Sequence, residues 1–124
     1  MLKKDGADMK PKYGNKKVTY KGKTFDSVKE KNRYVELEML EWGGAIFDLC
    51  CQVKFELIPS QKDLKTGKVI ERPVYYIADF VYKKKMPDGG IKTIVEDTKG
   101  FKTADYVLKR KMMLFLKGIQ IVEV

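Results

Sequence analysis

The chain has 124 residues, which is the size of one ordinary domain, and no apolar stretch is long enough to span a membrane. With 44% hydrophobic and 11% aromatic residues, it has enough apolar material for a core and is not compositionally disordered. The chain contains no histidine, which excludes serine–histidine triads and histidine-ligated metal hydrolases. Residues 1–17 are lysine-rich and lack the apolar segment of a secretory signal, so we expect a soluble, cytoplasmic protein.

The N-terminal segment carries most of the net charge of +9. Residues 1–23 contain eight lysines and two aspartates, whereas residues 24–124 have only a small positive excess. We predict that residues 1–23 form a basic, flexible arm and that residues 24–124 form a single domain. This charge distribution suits a polyanion such as nucleic acid, although lysines that only solubilise the chain would give the same composition.

The first predicted element after the arm is a helix. Ser27 followed by Glu30 has the spacing of a capping box, which predicts a helix start, and Gly43-Gly44 predicts its end. From residue 45 the apolar pattern is that of a strand, or of two strand pieces, which ends at Pro59. Residues 60–72 are polar and contain a turn.

Two strands, a helix and a last strand are predicted in the remainder of the chain. The strands at 74–82 and 91–99 flank a tight Pro-Asp-Gly-Gly connection, so we expect an antiparallel pair. Thr103 is predicted to cap a helix over 104–117, followed by a strand at 119–124 that runs parallel to its neighbour. The predicted fold class is α/β, with a mixed β-sheet flanked by helices in the order helix, three strands, helix, strand.

Two carboxylates on the predicted hairpin are the candidates for chemistry. Asp97 and Lys99 share one face of their strand, whereas Glu96 points to the other face and is expected to be structural. Asp79 interrupts an apolar run, where a lone carboxylate is expensive to bury without a partner. If the hairpin pairs in register, Asp79 faces Asp97, and two such carboxylates repel each other unless a cation lies between them. The alternative is a surface segment with an ordinary cross-strand ion pair.

This set of side chains suits phosphodiester hydrolysis. Oxygen ligands favour a hard cation such as Mg²⁺, for which Mn²⁺ could substitute. The cation would polarise the phosphate and lower the pKa of the attacking water. Lys99 would orient that water or stabilise the charge that develops in the transition state. The pattern therefore predicts magnesium-dependent hydrolysis by Asp79, Asp97 and Lys99.

Four segments resemble the PD-(D/E)xK nuclease superfamily, and more closely its small phage endonucleases related to Holliday-junction resolvases. The segments are Phe25-Asp-Ser-x-x-Glu30, Ala78-Asp-Phe-Val-Tyr82, Val95-Glu-Asp-Thr-Lys-Gly100 and Tyr106-x-Leu-Lys-Arg-Lys111. The chain departs from the common pattern at Ala78, where proline is frequent, and at Asp97, where glutamate is commoner. The resemblance implies a restriction-endonuclease-like core and cleavage of branched DNA such as Holliday junctions. It also implies a homodimer and a phage protein that acts in the cytoplasm of the bacterial host.

The resemblance implies a further acid on the first helix, and Glu30 is the match. Glu30 would then be a catalytic residue and a metal ligand together with Asp79 and Asp97, but a purely structural capping role accounts for the same residue. Gln52 is a candidate for a hydrogen bond near the site. Three basic residues on the second helix either contact phosphates or form a solvated helix face: Lys109, Arg110 and Lys111.

Two other functions compete with the nuclease. One is a non-catalytic nucleic-acid-binding phage protein that uses the arm and the second helix. The acids argue against it, because without a bound metal they would repel phosphates. The other is a structural partner in phage replication or packaging.

Overall fold

The structure is a computed structural model, and it describes residues 16–124. Most of the predicted arm, residues 1–15, lies outside the described residues. The end of that arm belongs to a hairpin of β1 (Val18–Tyr20) and β2 (Lys23–Phe25), so the predicted boundary at residue 23 falls within a folded element. Lys21 and Gly22 both have positive φ, 50° and 79°, as a tight two-residue hairpin turn requires. Strands of three residues are too short to show a periodic pattern in the sequence, which is why this hairpin was not predicted.

Both predicted helices are present, and both begin at the predicted cap. They are α1 (Val28–Trp42) and α2 (Ala104–Lys117). The Ser27 hydroxyl accepts a hydrogen bond from the Glu30 backbone N–H at 3.1 Å, and Thr103 caps α2 in the same way. Gly118 ends α2 with a φ of 66°. Within residues 16–124, neither helix has the length and apolar character needed to cross a membrane.

Six strands follow β1 and β2 in chain order: β3 (Ile46–Ile58), β4 (Gln61–Lys62), β5 (Val69–Glu71), β6 (Val74–Lys85), β7 (Ile91–Asp97) and β8 (Val122–Glu123). Four of them form the central sheet in the order β3, β6, β7, β8. The first two pairings are antiparallel, and β7 pairs with β8 in parallel. The prediction of an α/β domain with a mixed sheet is therefore confirmed.

Several strand bounds differ from the prediction. The polar segment 60–72 contains the small β4–β5 hairpin. β7 ends at Asp97 and not at Lys99, because the Thr98 backbone N–H donates to a side chain on β6 and no longer to a strand. β8 has two residues, and Ile119, at the start of the predicted strand, still donates its N–H to Met113 of α2.

Two clusters of buried side chains hold the helices on the sheet. One contains Leu37 of α1 together with Phe80 and neighbours on β1 to β3 and β7. The other contains Tyr106 and Met113 of α2 together with residues of β3, β6 and β7. The start of α1, the middle of β6 and the end of β7 thereby come together, and this is where the predicted site residues lie.

Candidate active site

A cavity of about 490 Å³ opens between the start of α1, the middle of β6 and the loop after β7. Three of the predicted residues, Glu30, Asp79 and Lys99, line it. Asp97 lies behind them and is only 1% exposed. The remaining lining residues are Asp26, Ser27, Thr98, Gly100 and Phe101. The structure therefore brings the four predicted catalytic residues to one place, although they are far apart in the sequence.

Asp79 is fixed by Thr98. One carboxylate oxygen of Asp79, Oδ2, accepts hydrogen bonds from the Thr98 backbone N–H at 2.8 Å and from the Thr98 hydroxyl at 2.7 Å. Alternation along a strand that ran to Lys99 would place Thr98 on the same face as Glu96, but alternation no longer applies after β7 ends at Asp97. Thr98 is thus a site residue that sequence reasoning missed.

Asp97 is a buried acid whose negative charge is only partly balanced by hydrogen bonds and nearby positive charge. Its Oδ2 accepts a hydrogen bond from the Tyr76 hydroxyl at 2.5 Å. Its Oδ1 lies 3.2 Å from Lys99 Nζ without meeting hydrogen-bond geometry, so this buried oxygen has no hydrogen-bond partner among the described residues. Burial raises the pKa of Asp97 to about 7, and nearby Asp79 adds to the rise, although Tyr76 and Lys99 oppose it. Tyr76 was also missed, because it resembles every other aromatic residue of an apolar strand.

Lys99 is held by contacts on two sides. Its ammonium group approaches Asp97, and it also lies 4.3 Å from the centroid of the Tyr106 ring on α2. The side chain at this position is a quarter exposed, so it lies between the buried acid and the solvent of the cavity. It can therefore interact with a substrate group in the cavity.

Glu30 lies both at the start of α1 and at the cavity, where each of its two carboxylate oxygens accepts a hydrogen bond. Its carboxylate Oε1 accepts a hydrogen bond from the Asp26 backbone N–H at 3.2 Å, close to what a capping box provides. Its other oxygen, Oε2, accepts a hydrogen bond from Gln52 Nε2 at 3.0 Å. Glu30 is 3% exposed, and burial raises its pKa to about 7, with a further contribution from the charge of Asp79. A capping role does not require this burial beside Asp79 and Asp97.

The donor set fits a hard cation, but it is not assembled into a metal site. No three acidic or cysteine side chains in residues 16–124 are arranged to hold a metal ion together. Each carboxylate is instead turned toward a protein donor: Asp79 toward Thr98, Asp97 toward Tyr76, and Glu30 toward Gln52. Two observations still favour a cation, namely the orphaned Oδ1 of Asp97 and the raised pKa values of two clustered acids. Glu30, Asp79 and Asp97 are the residues that would hold it.

Comparison with known proteins places the chain in a family. The family model described as "Protein of unknown function (DUF1064)" matches residues 10–119. The chain belongs to the DUF1064 family. The match includes all four predicted catalytic residues. No curated protein and no solved structure matches the chain.

In this DUF1064 protein, the acid next to Asp97 has the opposite environment. Glu96 is also 1% exposed, but both of its oxygens accept hydrogen bonds from Arg33 of α1, at 2.8 and 2.6 Å. The Tyr82 hydroxyl donates to the same carboxylate. Hydrogen bonding to Glu96 raises the pKa of Arg33, as expected for a tight ion pair. Glu96 therefore links α1 to the sheet and does not face the cavity.

The basic cluster on α2 is largely engaged within the protein. Arg110 Nη1 lies 3.0 Å from the carboxylate of Glu123 on β8, which also accepts a hydrogen bond from the Tyr106 hydroxyl. Together with Lys102, these donors lower the pKa of Glu123 to about 2, with the Tyr106 bond the largest cause. Lys109 lies 3.5 Å from the exposed Asp105. Of the three predicted phosphate contacts, Lys111 is the one that is exposed and has no ion pair within the described chain.

Proposed function

We propose that this protein is a metal-dependent DNA endonuclease of the PD-(D/E)xK type, with a restriction-endonuclease-like core. The observation that most supports the proposal is the presence of two buried, under-compensated acids, Asp97 and Glu30, beside one cavity that Lys99 lines. Burial of such charges destabilises a fold unless a partner is present, so their clustering indicates a cation that binds there.

Different residues of the chain would hold the metal ion, orient the ligand carboxylates and contact the water or the phosphate. Glu30, Asp79 and Asp97 would hold Mg²⁺ or Mn²⁺, and Thr98 and Tyr76 orient two of these carboxylates. When bound, the metal ion would polarise the scissile phosphate and lower the pKa of the attacking water. Lys99, held between Asp97 and the Tyr106 ring, would orient that water or donate a hydrogen bond to the phosphate.

DNA is the proposed substrate because the chain has a net charge of +9 and because the site suits a phosphodiester. The resemblance of the motif segments supports branched DNA such as a Holliday junction. A four-way junction needs two symmetric cuts, so a homodimer with two sites is part of the same proposal. The same resemblance supports a phage protein that acts in the cytoplasm of the bacterial host.

A non-catalytic nucleic-acid-binding protein is the second candidate. One observation favours it: each of the three proposed ligands, Glu30, Asp79 and Asp97, already has a protein donor, and no metal-ligand group is formed within residues 16–124. Such a protein would bind DNA equally well with and without divalent metal. The effect of divalent metal on the action of the protein on DNA therefore distinguishes the two candidates.

The test is a cleavage assay on linear, flap and four-way DNA, with Mg²⁺, with Mn²⁺ and with excess EDTA. The parent should cut at least one substrate in a metal-dependent manner, and Lys99→Met should lose most of that activity. Lys92→Met is the matched control, since Lys92 lies at the exposed, distant end of β7, the strand that leads into Lys99. Cleavage that persists in EDTA, or that survives in Lys99→Met, would contradict the proposal.

A further inference from the structure

Gln52 has a backbone conformation that its strand does not require. Its φ is 53°, in the left-handed region that side chains other than glycine rarely adopt. The pairing of β3 with β6 is unchanged across this position, since Cys51 pairs with Phe80 and Val53 pairs with Ala78. There is thus no turn and no register shift at Gln52 that would explain the conformation.

The other left-handed residue of β3 has a local explanation. Asp48 has a φ of 56°, but the register shifts between Phe47 and Cys50, so Asp48 lies in a β-bulge. Aspartate also tolerates this conformation better than glutamine does. Asp48 is exposed, and its carboxylate lies 3.5 Å from Lys83. It is the natural control position for Gln52.

The side chain of Gln52 reaches the acid on α1. Its Nε2 donates to Glu30 Oε2 at 3.0 Å, and the antiparallel register places Gln52 opposite Asp79 on β6. Gln52 is therefore adjacent to two of the three proposed metal ligands. An amide can donate a hydrogen bond to a carboxylate without cancelling its negative charge, which a lysine or arginine at this position would do.

We propose that Gln52 is a positioning residue of this site: its amide holds the Glu30 carboxylate in place, and the strained backbone turns the amide toward Glu30. This inference rests on the proposed function, in which Glu30 is a metal ligand. Strain of this kind is retained in a fold where the surrounding structure imposes it, and it concentrates at functional sites. The role of Gln52 is to act on the metal through Glu30 and not to bind the metal itself.

The first experiment compares two substitutions on the same strand by calorimetric titration with Mn²⁺. Gln52→Met preserves the length of the side chain and removes the donor, and it should weaken Mn²⁺ binding by about tenfold or more. Asp48→Met places the same residue in the same backbone conformation away from the site, and it should bind Mn²⁺ like the parent. Gln52→Gly suits the left-handed backbone but lacks the amide. It should melt no lower than Gln52→Met and should show the same loss of Mn²⁺ affinity.

A double-mutant cycle with Glu30→Gln tests whether Gln52 acts through Glu30. Gln52→Met should have little further effect on Mn²⁺ affinity once Glu30 is replaced. If the losses of Mn²⁺ affinity in the two single variants simply multiply in the double variant, the inference is overturned, because Gln52 then acts independently of Glu30. Parent-like affinity in Gln52→Met would overturn it as well.

Crystal structures of the metal-free parent and of Gln52→Met separate this inference from the proposed function. In Gln52→Met the Glu30 carboxylate should leave its position beside β3. If the carboxylate keeps its place, Gln52 does not position it, whatever the enzyme does. If the carboxylate moves but the parent neither binds Mn²⁺ nor cuts DNA, the structural role of Gln52 stands and the nuclease proposal fails.

Discussion

Replacing Asp97 by asparagine should stabilise the metal-free protein at pH 8. The Asp97 carboxylate is 1% exposed, and one of its oxygens has no hydrogen-bond partner among the described residues. Asparagine has almost the same shape and keeps a carbonyl oxygen for the hydrogen bond from Tyr76, which now occurs at 2.5 Å. The substitution thus removes a buried charge and leaves the packing in place. This is the reverse of the usual outcome for a buried residue.

The expected size follows from the pKa of Asp97, which burial raises from 3.8 to about 7. At 1.36 kcal/mol per unit, keeping this group ionised in the folded state at pH 8 costs about 4 kcal/mol. That figure already includes the favourable effects of Tyr76 and Lys99 on the ionised carboxylate. The asparagine NH₂ group has no acceptor where Oδ1 now lies, which offsets roughly 1–2 kcal/mol. We expect a net gain of about 2–3 kcal/mol, or roughly 10 °C in Tm for a domain of this size.

The pH dependence of unfolding shows whether the ionised Asp97 carboxylate stabilises or destabilises the fold. Because the folded-state pKa of Asp97 lies above its unfolded value, the folded parent binds more protons between about pH 4 and pH 7. The contribution of Asp97 to the stability of the parent is therefore fully present below about pH 4 and is lost as the pH rises through about 7. Glu30, with a pKa raised to about 7, contributes in the same direction. The advantage of Asp97→Asn should be small at pH 4 and should grow up to pH 8.

The assay is thermal and urea unfolding of the parent and of two variants in EDTA, at pH 4, 6 and 8. Glu96→Gln is the matched control, since Glu96 is the neighbouring residue and is equally buried. It should lose about 2–4 kcal/mol, because it leaves the Arg33 guanidinium without its charged partner. The reasoning would be refuted if Asp97→Asn were less stable than the parent at pH 8, or if its advantage did not change with pH.

Three further predictions concern the metal, the arm and the exposed end of the hairpin. Mg²⁺ should raise the Tm of the parent at pH 8 and should raise that of Asp97→Asn much less, as measured by calorimetry; equal shifts would place the metal elsewhere. Removal of residues 1–15, which include four lysines and two aspartates, should leave the fold intact and make the slope of log affinity for DNA against log salt concentration shallower; an unchanged slope would exclude a role in binding. Lys84 and Lys92 are directly opposite each other on β6 and β7, so Lys92→Glu should stabilise the protein by roughly 0.5 kcal/mol in urea unfolding, and a loss would contradict this.

The sequence predicted those elements that are determined by residues close together in the chain. The caps of both helices were predicted at Ser27 and Thr103, because a capping side chain acts within one turn. The antiparallel pair of β6 and β7 followed from the tight connection between two apolar runs. The convergence of Asp79, Asp97 and Lys99 then required only that these two strands pair in register.

The residues that were missed depend on contacts that no local pattern records. β7 ends at Asp97, two residues before the predicted end, and Thr98 donates its backbone N–H and its hydroxyl to Asp79 on β6. Tyr76 is one of several aromatic residues in β6, and only the tertiary structure shows which of them meets Asp97. The backbone conformation of Gln52 has no signal in the sequence, because glutamine is not a residue that turns or bulges select.

Glu96 and Asp97 show how two adjacent acids of equal burial acquire different roles. Strand alternation turns Glu96 toward α1 and Asp97 toward the opposite face, behind the residues that line the cavity. Arg33 and Tyr82 compensate Glu96 fully, and its removal should therefore weaken the fold. Asp97 receives one hydroxyl and an imperfectly placed ammonium, although the fold readily supplies a bidentate arginine to its neighbour. Because the fold can provide partners and yet leaves Asp97 short of them, we expect Asp97 to bind a ligand from solution. The opposite stability effects of Asp97→Asn and Glu96→Gln follow from this difference.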